Sequence, residues 1–258
     1  MPLPLSQVIE TVYGRLFNNL GAFARIAVAW IGVTIGLSIA VLILAPQAWN
    51  GSGGSFLTAV VGAGTAIGWH RFVLREERRA VPGLNTLARY LVLAIVAALA
   101  GGAIVVIGTP AVAVLLRRLD DRVGAAVMTA VIILLAIAGT AVTLRLSLIL
   151  PAVAIGDRSM GFRRSWAATR GSTIPILIGG IVVQIPPLFG IGPLSWALQH
   201  LGGASRGSGP GAGALVFGIA GYLLLLLLSA LSTALFAGFL SELYLRLRPG
   251  QPDPILAP

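Results

Sequence analysis

Side chains able to act as acids, bases, nucleophiles or metal ligands are scarce in this chain, and those present are scattered. Its 258 residues include two histidines, His70 and His200, eight carboxylates and no cysteine. Without a thiol there is no disulfide, no thiolate metal site and no cysteine nucleophile. The two histidines lie in separate apolar segments, on opposite expected faces, and do not form a metal pair. The adjacent acids Asp120 and Asp121 have the chemistry to bind a hard cation, yet Arg117, Arg118 and Arg122 surround them, which reads as a solvated loop. No HExxH, phosphate-binding loop or GxSxG occurs, and Gly53-Gly54-Ser55 lacks the flanks of a nucleophile elbow. The glycines of VGAGTAIG at 61–68 sit inside an apolar segment with no strand before them, so they read as helix packing. No enzyme, cofactor or metal is expected.

The densest polar stretch is 145–171, RLSLILPAVAIGDRSMGFRRSWAATRG, which holds six charges. Arg145 comes first, then eleven uncharged residues, then Asp157 and Arg158, Arg163, Arg164 and Arg170. An arginine inside a bilayer costs about 3 kcal/mol on insertion scales unless it pairs or snorkels. Arg145 therefore either bonds a carboxylate, with Glu242 and Asp157 as candidates, or reaches the interface. The residues expected to form a polar network are Arg145, Glu242, Asp157, His70, Arg71 and Arg170. Arg158, Arg163, Arg164 and Trp166 are placed to meet lipid headgroups. His70 is either a proton relay or an interfacial hydrogen-bonding group.

These groups must be held by helices. The chain is 57% hydrophobic and only 10% charged, with a mean hydropathy of +0.95. A soluble domain carries about 25% charged residues, so a single integral membrane domain of the all-α class is expected over 1–258. Six spans are expected near 26–45, 56–73, 87–107, 125–150, 174–190 and 214–240. The first is too long for a signal-peptide core and is expected to be retained. Residues 5–20 alternate with a helical period, reading as an amphipathic interfacial helix or one packed on the bundle. A second short interfacial helix is expected at 159–171, capped by Asp157 or Ser159. Pro110 should break or kink the third span, and Pro186-Pro187 should end the fifth. Trp69 reads as an aromatic-belt residue. Gly32 with Gly36, and Ala94, Ala98 and Gly102, form small-residue faces suited to close helix contact or self-association.

The net charge of +10 comes entirely from arginine. Fourteen of the 18 arginines fall on one side of the six-span arrangement, and Arg117, Arg118, Arg122 and Arg206 fall on the other. Excess arginine in short loops between spans is a topology signature, not a nucleic-acid footprint. It predicts both termini in the cytoplasm. The all-arginine, Ala/Gly/Pro-rich usage points to a GC-rich bacterial genome and hence the inner membrane.

Arg145, Pro151, Gly156 and Thr169-Arg170-Gly171, with Trp69 to Arg71, give the chain its likeness. It resembles uncharacterised bacterial six-span inner-membrane proteins of the YciC-like group, and the membrane domain found beside glycerophosphodiester phosphodiesterases. The resemblance implies a fold and a location but no reaction, since no phosphodiesterase domain is present. Two functions remain. One is a non-catalytic protein that interacts with membrane lipids or other membrane proteins. The other is a small-solute transporter or channel, which would need a polar cavity near Gln184, Tyr222 and Thr65.

Overall fold

The computed structural model describes residues 4–44, 53–77, 81–116, 121–204 and 212–247. Among them it contains nine helices and no strand. These are α1 (Leu5–Asn18), α2 (Leu20–Leu44), α3 (Gly53–Arg75), α4 (Leu84–Leu116), α5 (Asp121–Ser147), α6 (Ile149–Ala154), α7 (Phe162–Ala168), α8 (Thr173–Ala204) and α9 (Ala212–Leu247). Arg117, Arg118, Asp120 and Arg206 lie outside the described residues, as do most of the expected loop at 46–55 and the linker core at 205–211.

Among the described residues, five helical stretches are long and apolar enough to cross a membrane: Leu20–Val41, Leu84–Leu116, Arg122–Ala154, Thr173–Leu198 and Ile219–Leu247. This is the architecture of a multi-pass membrane protein. The second expected span, 56–73, corresponds to α3, which is less apolar and plays a different part. It packs between α2, α4 and α9, and residues 63–70 are buried on every face. A helix enclosed on all sides needs no lipid-facing stripe. Its close fit requires glycine at one point: a Cβ on Gly64 would enter the Trp30 ring. Trp69, expected at the interface, is instead buried against Phe23 and Phe72.

The apolar face of α1, formed by Val8, Val12 and Leu16, is buried on the bundle, chiefly against α9. The start of α1 reaches α8 at Gly179, where a side chain would collide with Leu5 and Phe239.

Neither expected proline site interrupts its helix. Helix α4 runs through Pro110, and α8 runs through Pro186, Pro187 and Pro193. A proline removes one backbone donor, but membrane helices tolerate this where neighbouring groups satisfy the freed carbonyl. Pro187 deprives the Val183 carbonyl, four residues back, of its N–H. The Tyr13 hydroxyl donates to that carbonyl at 3.1 Å. Support from outside the helix is what sequence-local reasoning about Pro186-Pro187 omits.

The tightest crossing joins α4 and α5 at Gly101 and Gly139, where a Cβ on either would strike the carbonyl of the other. Thr143 Oγ1 donates there to Ala97 O at 3.3 Å and Gly139 O at 3.1 Å. The expected face at Gly102 is thus displaced by one residue. Gly32, Gly36 and Gly102 have nothing within 4 Å of a built Cβ.

Candidate functional site

Helix α5 gives way to α6 through a single turn residue, Leu148, and all six residues of α6 are buried. Gly156 then takes φ +74°, a left-handed conformation that favours glycine. The Gly156 N–H bonds Val153 O at 3.1 Å and the Asp157 N–H bonds Ala152 O at 2.8 Å. These two bonds close the helix in a Schellman motif. Arg71 adds a third closure, donating from Nε to Ala154 O at 2.8 Å. The motif turns the chain back towards α9, where the Tyr244 hydroxyl donates to Asp157 Oδ2.

Asp157 does not cap the next helix, because its other oxygen accepts the Ser159 N–H at 2.7 Å. Helix α7 begins only at Phe162, after Gly161, with no side-chain cap, so the expected helix over 159–171 is shorter than its sequence suggested. Its buried face is polar: Ser165 and Thr169 are both fully buried. They meet Arg145. The Ser165 hydroxyl donates to the Arg145 carbonyl. Arg145 Nε donates to Thr169 Oγ1 at 3.0 Å, and Nη2 donates to Trp166 O at 2.8 Å. The Arg145 guanidinium carbon lies 3.6 Å from the centre of the Trp166 ring, a cation–π contact.

The expected Arg145–Glu242 contact is not made. Glu242 instead faces Arg15 at 3.6 Å and Arg246 at 3.9 Å, tying α1 to the end of α9. The reason is rotational. Helix α7 covers the side of α5 that carries Arg145, and α1 covers the side of α9 that carries Glu242. Arg170 follows Thr169, the residue that bonds Arg145, and is exposed. Arg158, Arg163 and Arg164 are also exposed, with Arg164 donating to Ser159 O at 2.6 Å. Trp166 is 41% exposed. Ser165 and the bonding of Thr169 to Arg145 were not among the expected contacts; their i, i+4 spacing is the available signal.

His70 is fully buried within the bundle. Its Nδ1 is hydrogen-bonded to Ser241 Oγ at 2.7 Å and its Nε2 to the Tyr90 hydroxyl at 3.1 Å. Each hydroxyl can donate or accept, so a neutral imidazole is satisfied in either tautomer. This cluster joins α3, α4 and α9 and lacks an acid. His200 sits far along α8 against Trp196, with ring centres 4.1 Å apart. Among the described residues no three His, Asp or Glu side chains come together as a metal site.

The candidate transport residues do not converge. Gln184 is clasped to α9: its Nε2 donates to Ser232 O at 3.1 Å, while the Ser232 hydroxyl donates to Gln184 Oε1 at 2.5 Å. Thr65 is buried in α3 and Tyr222 is exposed on α9. Beside Gln184 lies a crevice of about 510 Å³, walled mainly by α4, α5 and α8. Its surface is mostly apolar, with Gly102, Ala136, Thr140, Ile181 and Leu188 exposed along its opening.

These features define a multi-pass helical membrane protein whose polar groups serve mainly to join helices. The chain belongs to the family described as Domain of unknown function (DUF7847), whose model matches residues 9–247. No curated protein and no solved structure matches it.

Proposed function

We propose that the protein is a non-catalytic, six-span component of the bacterial inner membrane that interacts with membrane lipid. In this reading α3 is the second of the six spans, both termini face the cytoplasm, and the chain is related to the YciC-like group. Several contacts support a common end for the arginine-bearing helix termini: Arg15 with Glu242, His70 with Tyr90, Arg71 with Ala154, Tyr244 with Asp157, and Arg145 with Thr169. The positive-inside rule assigns that end to the cytoplasm. Other membrane proteins, or a second copy, are further partners of this surface.

The observation that carries the reading is the Gln184–Ser232 clasp beside the apolar crevice. A solute path needs polar groups turned towards a cavity. Here the amide is closed onto a neighbouring helix, and the space beside it is suited to hydrocarbon. Two measurements test this. A reporter fused after Leu247 should be active only in its cytoplasm-dependent form. Protein purified in mild detergent should retain phospholipid, and proteoliposomes should show no solute flux above empty liposomes. Reproducible flux of a small solute would favour the transporter instead.

A further inference from the structure

We propose that the seam between α5 and α8 binds one anionic phospholipid, with Arg145 and Arg170 holding its phosphate and the apolar crevice taking an acyl chain. The proposal rests on the lipid-interaction reading and names its site and ligand.

Three features of Arg145 point to an anion. First, its guanidinium is fixed in place by Thr169, the Trp166 carbonyl and the Trp166 ring. These contacts use two of its five N–H donors, leaving one edge of the planar fork to match phosphate oxygens. Second, Arg170 directly follows Thr169, whose hydroxyl accepts from Arg145 Nε at 3.0 Å, so a second cation is carried beside it. Third, among the described residues neither arginine forms a salt bridge with a carboxylate. Asp157, the acid nearest in sequence, is engaged by Tyr244 and by the Ser159 N–H. Two cations at the foot of a span, neither paired with a carboxylate, suit an anion from outside the protein.

The crevice lies along the same seam. Leu144, next to Arg145, lines it from α5, and Gly180 lines it from α8. Gly180 lies seven residues into α8, which is about 10 Å of helical rise from the α7–α8 junction that bears Arg170. A phospholipid has this layout, with a phosphate, a short glycerol segment and then hydrocarbon. Of the glycines lining the crevice, Gly102 has nothing within 4 Å of a built Cβ, so the wall is open at that point. Charge complementarity selects the headgroup. Phosphatidylglycerol brings a net negative charge to the arginine pair, whereas phosphatidylcholine brings its own cation.

Native mass spectrometry of the full chain in mild detergent, titrated with phosphatidylglycerol and phosphatidylcholine of identical acyl chains, tests the proposal. Wild-type protein should prefer phosphatidylglycerol by about tenfold, the scale of one charge-assisted hydrogen bond. Arg170→Gln, at an exposed side chain, and Arg145→Gln should each remove most of that preference without altering phosphatidylcholine binding. Ala136→Phe, at the crevice opening, should weaken both lipids. Arg25→Gln, an exposed arginine on α2, should change neither. Retained preference in Arg170→Gln would overturn the site while leaving general lipid interaction intact. Absence of any lipid retention by wild type would remove both. Displacement of phosphatidylglycerol by millimolar inorganic phosphate alone would also overturn the proposal, identifying a free-anion site. Should Arg145→Gln not fold, Arg170→Gln and Ala136→Phe decide the matter.

Discussion

The Tyr13 hydroxyl donates to the Val183 carbonyl across 3.1 Å, linking the first helix to the proline-rich middle of α8. Burial raises the Tyr13 phenol above its ordinary value, so the hydroxyl keeps its proton and remains a donor at neutral pH. It replaces the N–H that Pro187 lacks. Tyr13→Phe should therefore cost about 1–3 kcal/mol, the penalty for leaving a buried acceptor unpaired. In a Pro187→Ala background the backbone N–H returns and the cost of Tyr13→Phe should shrink. Thermal unfolding in detergent across this double-mutant cycle measures the coupling. Strict additivity would mean that the two residues act independently.

The Gln184–Ser232 clasp gives a second expectation. Ser232→Ala alone should destabilise by about 1–3 kcal/mol, because Gln184 loses its partner hydroxyl in an apolar setting. Combining it with Gln184→Leu should restore most of that loss, since removing both polar partners can be nearly neutral. Thermal midpoints of the two variants check this. A double variant less stable than Ser232→Ala would assign Gln184 some further role.

His70 is predicted to be a structural core residue. His70→Leu strands two hydroxyls, on Ser241 and Tyr90, and should cost about 2–4 kcal/mol at 1–3 kcal/mol per stranded group, allowing for partial relaxation. Adding Ser241→Ala and Tyr90→Phe should recover stability. Unfolding midpoints report this directly, and failure of the triple variant to regain stability would show that the histidine does more than join helices.

The Gly101–Gly139 crossing should be intolerant of any side chain. Gly139→Val should force α4 and α5 apart and cost at least 1–3 kcal/mol, the usual range for overpacking. Gly102→Val, one residue along α4 with nothing within 4 Å of its Cβ, should be nearly silent. Folded yield by size-exclusion chromatography separates the two. Equal behaviour of these variants would contradict the close approach.

Much of this protein is legible in its sequence. Long apolar segments and few charges dictate helices able to cross a membrane, because unsatisfied backbone in hydrocarbon is too costly for an open alternative. Gly156 and the polar segment after it mark a turn whose left-handed residue can be read locally. Tertiary structure alone decided how the faces meet. Helices apolar all round carry little periodicity, so nothing local says that α7 covers Arg145, that α1 covers Glu242, or that α3 is enclosed with Trp69 and His70 inside it. The helix that continues through Pro186 and Pro187 depends on a hydroxyl 170 residues away in sequence. The Gln184 clasp spans 48 residues. Composition determined what the chain must do with its backbone. Only packing, through which side chains meet across helices, decided where each polar group found its partner.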